Sequence, residues 1–271
     1  MKKYSSNEKL TMMSWNINQR SGFGGKENIA PIVFEEIKEN NSDIIVLCEF
    51  VKLTGYNSFI VQLEGIGYVV MCDYRRDKRV NEILIAIKKE VLQGNDFIIN
   101  TLPNVDTETN LYPNFLHVRF KYNGKELNII GARIRISNSS SSDFQERRLQ
   151  LDSLTKYVDK LNGATIIAGD FNNGYFKEGE TSSSYSGKSR EFYSYPLLKE
   201  ESKAIGFELH TPKENGSWRN IKLDHILAKG ANIITPIYDW GFTKRSNYKH
   251  NAIGIPDHAV LTASFSLWRF R

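Results

Sequence analysis

The sequence predicts an α/β protein built in layers, with one β-sheet packed on another and helices on the outside. Short apolar runs typical of strands recur along most of the chain, and helical patterns fall between them. An element that is apolar on one face must bury that face against another element, which favours layered packing. No internal repeat or proline-rich linker is visible, so we expect a single domain over residues 1–271.

The strand-like runs differ in how their apolar residues are arranged. The run FLHVRFKY alternates between apolar and polar residues, as in a sheet with one face exposed to water. Others, such as SDIIVLCEF, are apolar on both faces and indicate central strands. The predicted strands include residues 10–17, 42–50, 67–73, 82–88, 115–122, 126–136, 164–171, 222–229 and 258–265.

Helical periodicity appears in segments that lie between the strand-like runs. The predicted helices cover residues 27–40, 143–162 and 191–205. In the first, apolar residues recur every four positions, and Pro31 is tolerated because it falls in the first turn. In the second, Ser142 and Gln145 have the spacing of a capping box at the start of a longer apolar stripe.

Charge and hydropathy restrict the class of protein. The net charge is +5 at pH 7, a mild excess that favours polyanionic partners such as nucleic acid. No apolar run is long enough to span a membrane, and no apolar stretch follows the first lysines as in a secretory signal. We therefore expect a cytoplasmic monomer. Cys48 and Cys72 lie in apolar runs, which predicts buried free thiols.

Polar residues stand at the ends of several apolar runs, where a buried carboxylate is costly unless it is paired or bound to a metal. Carboxylate and amide oxygens are the ligands that Mg2+ prefers. The candidate oxygen donors are Asn16, Glu49, Asp170, Asn172 and Asp257. Asp224 and His258 form a different pattern, in which a carboxylate can orient an imidazole and keep it charged.

Each of these residues also has a structural explanation when it is considered alone. Asn16 can be a turn residue at a strand end, Asp170 can cap a helix, and His258 can be a hydrogen-bonded structural histidine. The occurrence of the whole set in one chain favours the catalytic interpretation.

These residues belong to five short motifs: SWNI, LCEF, IIAGDFN, LDHI and PDHAV. In this order and spacing they resemble the endonuclease/exonuclease/phosphatase superfamily, which has the deoxyribonuclease I-like fold. The resemblance extends from Trp15 to Phe265. It implies a four-layered sandwich of two mixed β-sheets packed face to face, with helices outside and the active site at one end of the sheets.

The resemblance also implies metal ligands. Glu49 corresponds to the main ligand of the family, assisted by Asn16 and Asp257. The implied cofactor is Mg2+, for which Mn2+ could substitute. Whether one or two metal ions act is left open by the sequence.

The remaining motif residues correspond to groups that act on water and phosphate. Asp170 matches the residue that orients and activates the attacking water, and Asn172 matches the amide that holds the phosphate or the water. His258 and Asp224 match the histidine–aspartate dyad. The histidine can be a general base or a cation that binds phosphate, and the sequence does not decide between these roles.

The sequence departs from the family at Arg133, where a second histidine or a tyrosine is common. By strand periodicity Arg135 shares the face of Arg133, so two guanidinium groups could bind phosphate. The alternative for Arg133 is a structural salt bridge. Trp218, just before LDHI, can stack on a base or pack at the rim of the site. His225 points to the opposite strand face from Asp224 and is interpreted as structural.

These observations predict a phosphoester hydrolase that uses water and Mg2+. A nuclease is favoured over a phosphatase or phosphodiesterase acting on small or lipid-headgroup phosphoesters, because basic residues cluster at 75–79 and 244–249. A non-catalytic binding module on the same fold is the third possibility. The expected partner is therefore a nucleic acid or another phosphoester.

Overall fold

The computed structural model describes residues 9–19, 28–72, 81–101, 112–174, 192–249, 252 and 254–268. Within these ranges, twelve strands form two sheets of six strands each. No helix among the described residues has both the length and the apolar content needed to cross a membrane. The basic cluster at 75–79 lies outside the described residues.

The first sheet is mixed. Its strands are β1 (Leu10–Asn16), β2 (Ile44–Phe50), β3 (Tyr68–Cys72), β4 (Glu82–Lys88), β11 (Ala231–Asp239) and β12 (Val260–Leu267). The spatial order is β11-β12-β1-β2-β4-β3. Strands β1 and β2 run parallel, and the other neighbours pair antiparallel.

The second sheet repeats this arrangement. Its strands are β5 (Phe97–Asn100), β6 (Asn114–Tyr122), β7 (Lys125–Arg133), β8 (Ala164–Asp170), β9 (Glu208–His210) and β10 (Asp224–Lys229). The spatial order is β5-β6-β7-β8-β10-β9. Here β7 and β8 form the parallel pair, and the other neighbours are antiparallel.

Among the described residues, four longer helices lie on the outer faces of the two sheets, and one short helix, Lys89–Leu92, packs Val91 and Leu92 into the space between the sheets. They are α1 (Pro31–Asn40), α2 (Tyr56–Gly65), α3 (Lys89–Leu92), α4 (Ser141–Val158) and α5 (Tyr195–Ala204), and a short 3-10 helix covers Gly241–Lys244. Parallel neighbours need a crossover connection, which α1 provides between β1 and β2 and α4 provides between β7 and β8. The carboxyl ends of β1 and β2 therefore lie at one edge of the first sheet, and those of β7 and β8 lie at one edge of the second.

Three apolar clusters fill the spaces between these layers. The central cluster, which includes Val46 and Ile129, is formed by side chains that the two sheets turn towards each other. A second cluster packs α1 and α2 on the first sheet, and a third packs α4 and α5 on the second. The predicted four-layered sandwich is thus confirmed. Burial of these apolar faces contributes roughly 25 cal/mol for each Å² removed from water.

Gly131 of β7 marks a close approach of the sheets. A Cβ atom at this position would stand 2.8 Å from Val46 Cγ1 and would also collide with Ile83 Cγ2. We expect Gly131→Ala to lower the free energy of unfolding by about 1–3 kcal/mol, since overpacking a close-packed core forces neighbours to move. Urea unfolding measures the change. Gly65→Ala, where a Cβ meets no atom within 4 Å, is the control, and equal midpoints for both variants would contradict this packing.

The predicted helices at 27–40, 143–162 and 191–205 correspond to α1, α4 and α5, which begin at residues 31, 141 and 195 and end at residues 40, 158 and 204. Pro31 occupies the first turn of α1, as expected. The cap of α4 is Ser140, whose Oγ accepts from the backbone N–H of Asp143 at 3.2 Å, so the predicted capping box of Ser142 and Gln145 is replaced. The reason is that Asp143 also binds the backbone N–H groups of the preceding loop, which moves the helix start to Ser141.

Strand β11 was not recognisable from its pattern because Pro236 interrupts it. Proline is tolerated since β11 lies at the edge of the sheet and its pairing with β12 shifts register between Ile234 and Ile237. Cys48 and Cys72 are both buried and are not joined in a disulfide, in agreement with the prediction of two buried thiols.

Candidate active site

The candidate site lies where strand ends from both sheets meet. Asn16 ends β1, Glu49 is next to the last residue of β2, and Asp170 ends β8. In the second sheet, Asp170 lies beside Arg133 at the end of β7 and beside Asp224 at the start of β10. A cleft of about 330 Å³ opens at this edge.

A β-bulge directs Glu49 into this cleft. The register between β2 and β4 shifts between Leu47 and Phe50, and Glu49 adopts a φ of 54°. A left-handed conformation is costly for a residue other than glycine, about 1–3 kcal/mol, and persists where the surroundings impose it. Asn172, on the opposite wall, has a φ of 44°. Two residues that line the candidate site thus have a left-handed backbone conformation.

Asp170 is held in one orientation by its neighbours. Its Oδ1 accepts from the backbone N–H of Asn172 at 3.0 Å. Its Oδ2 accepts from the side-chain amides of Asn172 at 2.9 Å and Asn16 at 3.0 Å. Gly169 has a φ of 149°, and a Cβ there would collide with the carbonyl oxygen of Ala132, which explains the glycine of the IIAGDFN motif.

The surroundings make Asp170 a stronger base than an ordinary aspartate. Burial, and then repulsion from Asp224, raise its pKa to about 6, while His258 and Arg133 oppose the rise. A carboxylate with a pKa near neutrality can accept a proton and still be ionised at neutral pH. This is the property that a general base for water requires.

Glu49 remains ionised although it is buried. Burial alone would raise its pKa, but the Arg133 guanidinium and the Asn16 amide outweigh that effect and lower it. Arg133 donates from Nη2 to Glu49 Oε1 at 2.6 Å and from Nη1 to Asn114 Oδ1 at 3.3 Å. The structure therefore favours the salt-bridge alternative for Arg133, which lies behind Glu49 and does not line the cleft.

The predicted contribution of Arg135 differs from the observed arrangement. Strand β7 ends at Arg133, so the alternation of faces does not continue to Arg135. The backbone N–H and carbonyl of Arg135 are instead bound by the side chain of Gln150, at 2.7 and 3.2 Å. Arg135 is not one of the described residues that line the cleft.

His258 and Asp224 form a buried dyad. His258 Nδ1 lies 2.7 Å from Asp224 Oδ2. Burial lowers the pKa of His258, but the charge and hydrogen bond of Asp224 outweigh this and raise it to about 10, so the imidazole is a cation at neutral pH. Trp15 Nε1 donates to the His258 carbonyl at 2.8 Å, and Tyr238 donates to the Asp224 carbonyl. The backbone of both members is thereby fixed.

Two asparagines orient the carboxylates. Asn16 Nδ2 donates to Glu49 at 3.2 Å as well as to Asp170, while its Oδ1 accepts from the backbone N–H of Asn18. Both N–H bonds of the Asn172 amide are also used, one on Asp170 and the other on the carbonyl of Ile134 at 2.9 Å. In this arrangement Asn16 contacts both Glu49 and Asp170 through its amide nitrogen, and Asn172 orients Asp170.

Two acidic side chains suit a divalent cation. Glu49 and Asp257 both line the cleft, and Trp218 Nε1 donates to Asp257 Oδ2 at 3.4 Å. Asp170, Asp224 and His258 also lie within 4.8 Å of one another, but His258 Nδ1 and Asp224 Oδ2 are engaged with each other, and Mg2+ prefers oxygen ligands. The fit with Mg2+ therefore rests on the oxygen donors Glu49 and Asp257.

Arg147 is a site residue that the sequence reasoning missed. It lines the cleft, its Nη1 donates to the carbonyl of Asn172 at 2.9 Å, and its Nη2 pairs with Asp143. The pair supports the left-handed conformation of Asn172. The signal available in the sequence was the spacing of Asp143 and Arg147, which places opposite charges one helical turn apart.

His225 occupies a structural position beside the site. It lies between Asn173 Oδ1, at 2.8 Å from Nε2, and Thr211 Oγ1, at 2.9 Å from Nδ1. Burial lowers its pKa to about 3, so the ring is neutral. The described residues that line the cleft include Glu49, Asp170, Asn172, Trp218, Asp257 and His258.

Comparison with known structures reproduces this architecture. An endonuclease/exonuclease/phosphatase from Beutenbergia cavernae is 14% identical, with a TM-score of 0.65 over 96% of this chain and 72% of that one. TDP2 from D. rerio in complex with a single-strand DNA product is 14% identical, with a TM-score of 0.58 over 96% and 100% of the chains. ANGEL2, a 2′,3′-cyclic phosphatase bound to adenosine-2′,3′-vanadate, is 15% identical, with a TM-score of 0.62 over 96% of each.

Identities at this level show the fold alone, and no curated protein sequence matches the chain. The sequence model of the Endonuclease/Exonuclease/phosphatase family, however, matches residues 13–265. Because this match spans nearly the whole chain and the fold agrees with it, the chain belongs to the endonuclease/exonuclease/phosphatase family, whose members hydrolyse phosphoester bonds.

Proposed function

We propose that this protein is a Mg2+-dependent phosphodiesterase that cleaves nucleic acid by attack of water. The observation that carries the proposal is the position of Asp170, which is buried at the cleft between the ionised Glu49 and the His258–Asp224 dyad. The base Asp170, the cation His258 and the metal-binding carboxylate Glu49 then all line one small cleft. That combination suits the hydrolysis of an anionic ester.

Glu49 and Asp257 would hold the Mg2+ ion, and Asn16 would keep the Glu49 carboxylate in place. A bound Mg2+ ion supplies positive charge that stabilises the phosphoryl oxygens during attack. Arg133 contributes by keeping Glu49 ionised while it engages one carboxylate oxygen, Oε1. Glu49 retains its second oxygen for the metal.

The other residues act on water and on the phosphate. Asp170 accepts the proton of the attacking water, with its carboxylate plane fixed by Asn172 and Asn16. The His258 imidazolium donates a hydrogen bond from Nε2 to a phosphoryl oxygen, because Nδ1 is engaged by Asp224. We assign His258 the role of phosphate-binding cation, since a group that stays protonated at neutral pH is a poor base.

Nucleic acid is the substrate that the charges favour. The chain carries a net charge of +5, which attracts polyanions. Among the structural neighbours, one is bound to a single-strand DNA product and another to an adenosine-derived vanadate, so both ligands are nucleic acid or nucleotide derivatives. The second candidate is hydrolysis of a small phosphoester, which the modest cleft volume of about 330 Å³ would admit.

A substrate panel separates these candidates. Plasmid DNA, single-stranded DNA, RNA, bis-p-nitrophenyl phosphate and inositol phosphates are incubated with the protein in Mg2+ or in EDTA. We expect cleavage of at least one nucleic acid in Mg2+ that EDTA abolishes and that weakens steeply with salt. Turnover of small esters alone would replace the nuclease proposal by the phosphatase alternative, and no turnover of any substrate would contradict both.

The pairing of Arg133 with Glu49 gives a prediction about metal and stability. Arg133→Ala leaves the Glu49 charge buried without its partner, so in EDTA we expect a loss of about 3–5 kcal/mol in the free energy of unfolding. Mg2+ should restore part of this loss by binding Glu49 in the folded state. Urea unfolding with and without Mg2+ measures the effect.

The control is Arg133→Ala combined with Glu49→Gln, in which the buried charge is removed. This double variant should lose less stability in EDTA and respond little to Mg2+. An equal Mg2+ response of the single and double variants would show that Glu49 is not the metal ligand.

A further inference from the structure

A second pocket adjoins the catalytic cleft and carries a concentration of positive charge. Its volume is about 230 Å³. Lys199, Lys213 and Lys222 line it, and no acidic side chain does among the described residues. The lysines come from α5, from the loop that follows β9 and from the segment that leads into β10. Positive side chains that converge on a concave surface raise the local concentration of anions.

The pocket and the catalytic cleft share a wall. Asn173 lines both, and its Nδ2 donates to the carbonyl of Lys222 at 3.1 Å. Along the chain, Asn173 follows Asn172, and Lys222 is two residues before Asp224 of the dyad. The side chain of Asn173 and the backbone of Lys222 thus lie between the pocket and the catalytic cleft.

The floor of the pocket is held by a chain of hydrogen bonds. Tyr195 donates to Thr211 Oγ1 at 3.1 Å, Thr211 contacts the His225 ring at 2.9 Å, and His225 contacts Asn173 at 2.8 Å. Lys222 Nζ donates to the carbonyl of Lys213 at 2.7 Å, which fixes the loop that carries Lys213. The lysines thus surround a surface that is already ordered, and such a preformed surface loses little entropy on binding.

We propose that this pocket binds a second phosphate group of the substrate, next to the phosphate that is cleaved. The proposal rests on the phosphodiesterase function proposed above and specifies its substrate as a molecule with at least two phosphates. A nucleic-acid strand supplies a neighbouring phosphate, and a small bisphosphate supplies the same chemistry. In either case Lys199 and Lys213 are binding residues that do not take part in the bond cleavage.

Binding can be measured without turnover. In the Asp170→Asn background, a fluorescein-labelled single-stranded oligonucleotide is titrated in Mg2+ at several KCl concentrations, and anisotropy gives the dissociation constant. The test variant is Lys199→Gln with Lys213→Gln. The control is Lys156→Gln with Lys203→Gln, two exposed lysines that do not line the pocket and whose removal changes the net charge equally.

We expect the test variant to raise the dissociation constant about tenfold, as for a lost charge-assisted contact. The slope of log K against log salt should fall in magnitude by about 0.7, the value for one phosphate of a single strand. The control should leave both quantities at their original values. Equal dissociation constants for the test and control variants, both with the oligonucleotide and with a nucleoside 3′,5′-bisphosphate, would overturn the proposal.

A nucleoside 3′,5′-bisphosphate, compared with the 5′-monophosphate, distinguishes the source of the second phosphate. Lysine-dependent binding of the oligonucleotide supports a nucleic-acid strand, and lysine-dependent binding of the bisphosphate alone supports a small substrate. If lysine-dependent binding is found but the unsubstituted protein hydrolyses no phosphodiester, the pocket is supported and the proposed catalytic function fails.

Discussion

Asp170→Asn is expected to lower kcat on a phosphodiester by about 100- to 10,000-fold, the contribution of a positioned general base. The amide has the size of the carboxylate but cannot accept the proton of water. The carboxylate it replaces is buried and held in one orientation by Asn172 and Asn16. Stopped-time hydrolysis of bis-p-nitrophenyl phosphate measures the loss.

The fold of this variant should survive. The substituted amide has one hydrogen-bond acceptor fewer than the carboxylate, at a cost of about 1–3 kcal/mol, but the substitution also removes the repulsion with Asp224. Asp159→Asn, an exposed acidic residue after α4, is the matched control. A folded Asp170→Asn protein with the turnover of the control would exclude Asp170 as the base.

His258→Ala is expected to lower kcat by about 100- to 1,000-fold, as for the loss of one donor to the developing charge. It should also destabilise the fold by about 3–5 kcal/mol, because Asp224 is left as a buried charge without its partner. Hydrolysis rates and urea unfolding of the same preparation give both quantities.

A second substitution separates the two effects of His258. Adding Asp224→Asn to His258→Ala removes the unpaired charge, so the double variant should regain most of the stability. Turnover should stay low, because the cation that contacts the phosphate is still missing. Recovery of turnover together with stability would mean that His258 has only a structural role.

The positions of the carboxylates that we propose as catalytic were predictable because each leaves a local signal. Glu49 and Asp170 end apolar runs that would otherwise be fully buried, and such placement is costly without a function. The layered fold was predictable for a related reason. A strand that is apolar on both faces must be covered by other elements on both sides of its sheet. The local sequence pattern was therefore sufficient to predict the layered fold and the candidate residues at the strand ends.

The orientations of the side chains were not predictable, because they depend on contacts between distant segments. Arg133 meets Glu49 across 84 positions of sequence, and only the packing of the two sheets shows that it pairs instead of lining the cleft. The bulge at Glu49 is a shift in the register between β2 and β4, which lie in separate segments of the chain. The lysine-lined pocket is assembled from three separate segments, none of which has a motif of its own.

The direct test of the metal-assisted site is a titration of activity with Mg2+. Hydrolysis of bis-p-nitrophenyl phosphate is followed for the wild type and for Glu49→Gln, first in EDTA and then with increasing free Mg2+. We predict that EDTA abolishes wild-type turnover, that Mg2+ restores it, and that Glu49→Gln requires a much higher Mg2+ concentration. Turnover that persists in EDTA, or an identical Mg2+ requirement in the two proteins, would contradict the proposed site.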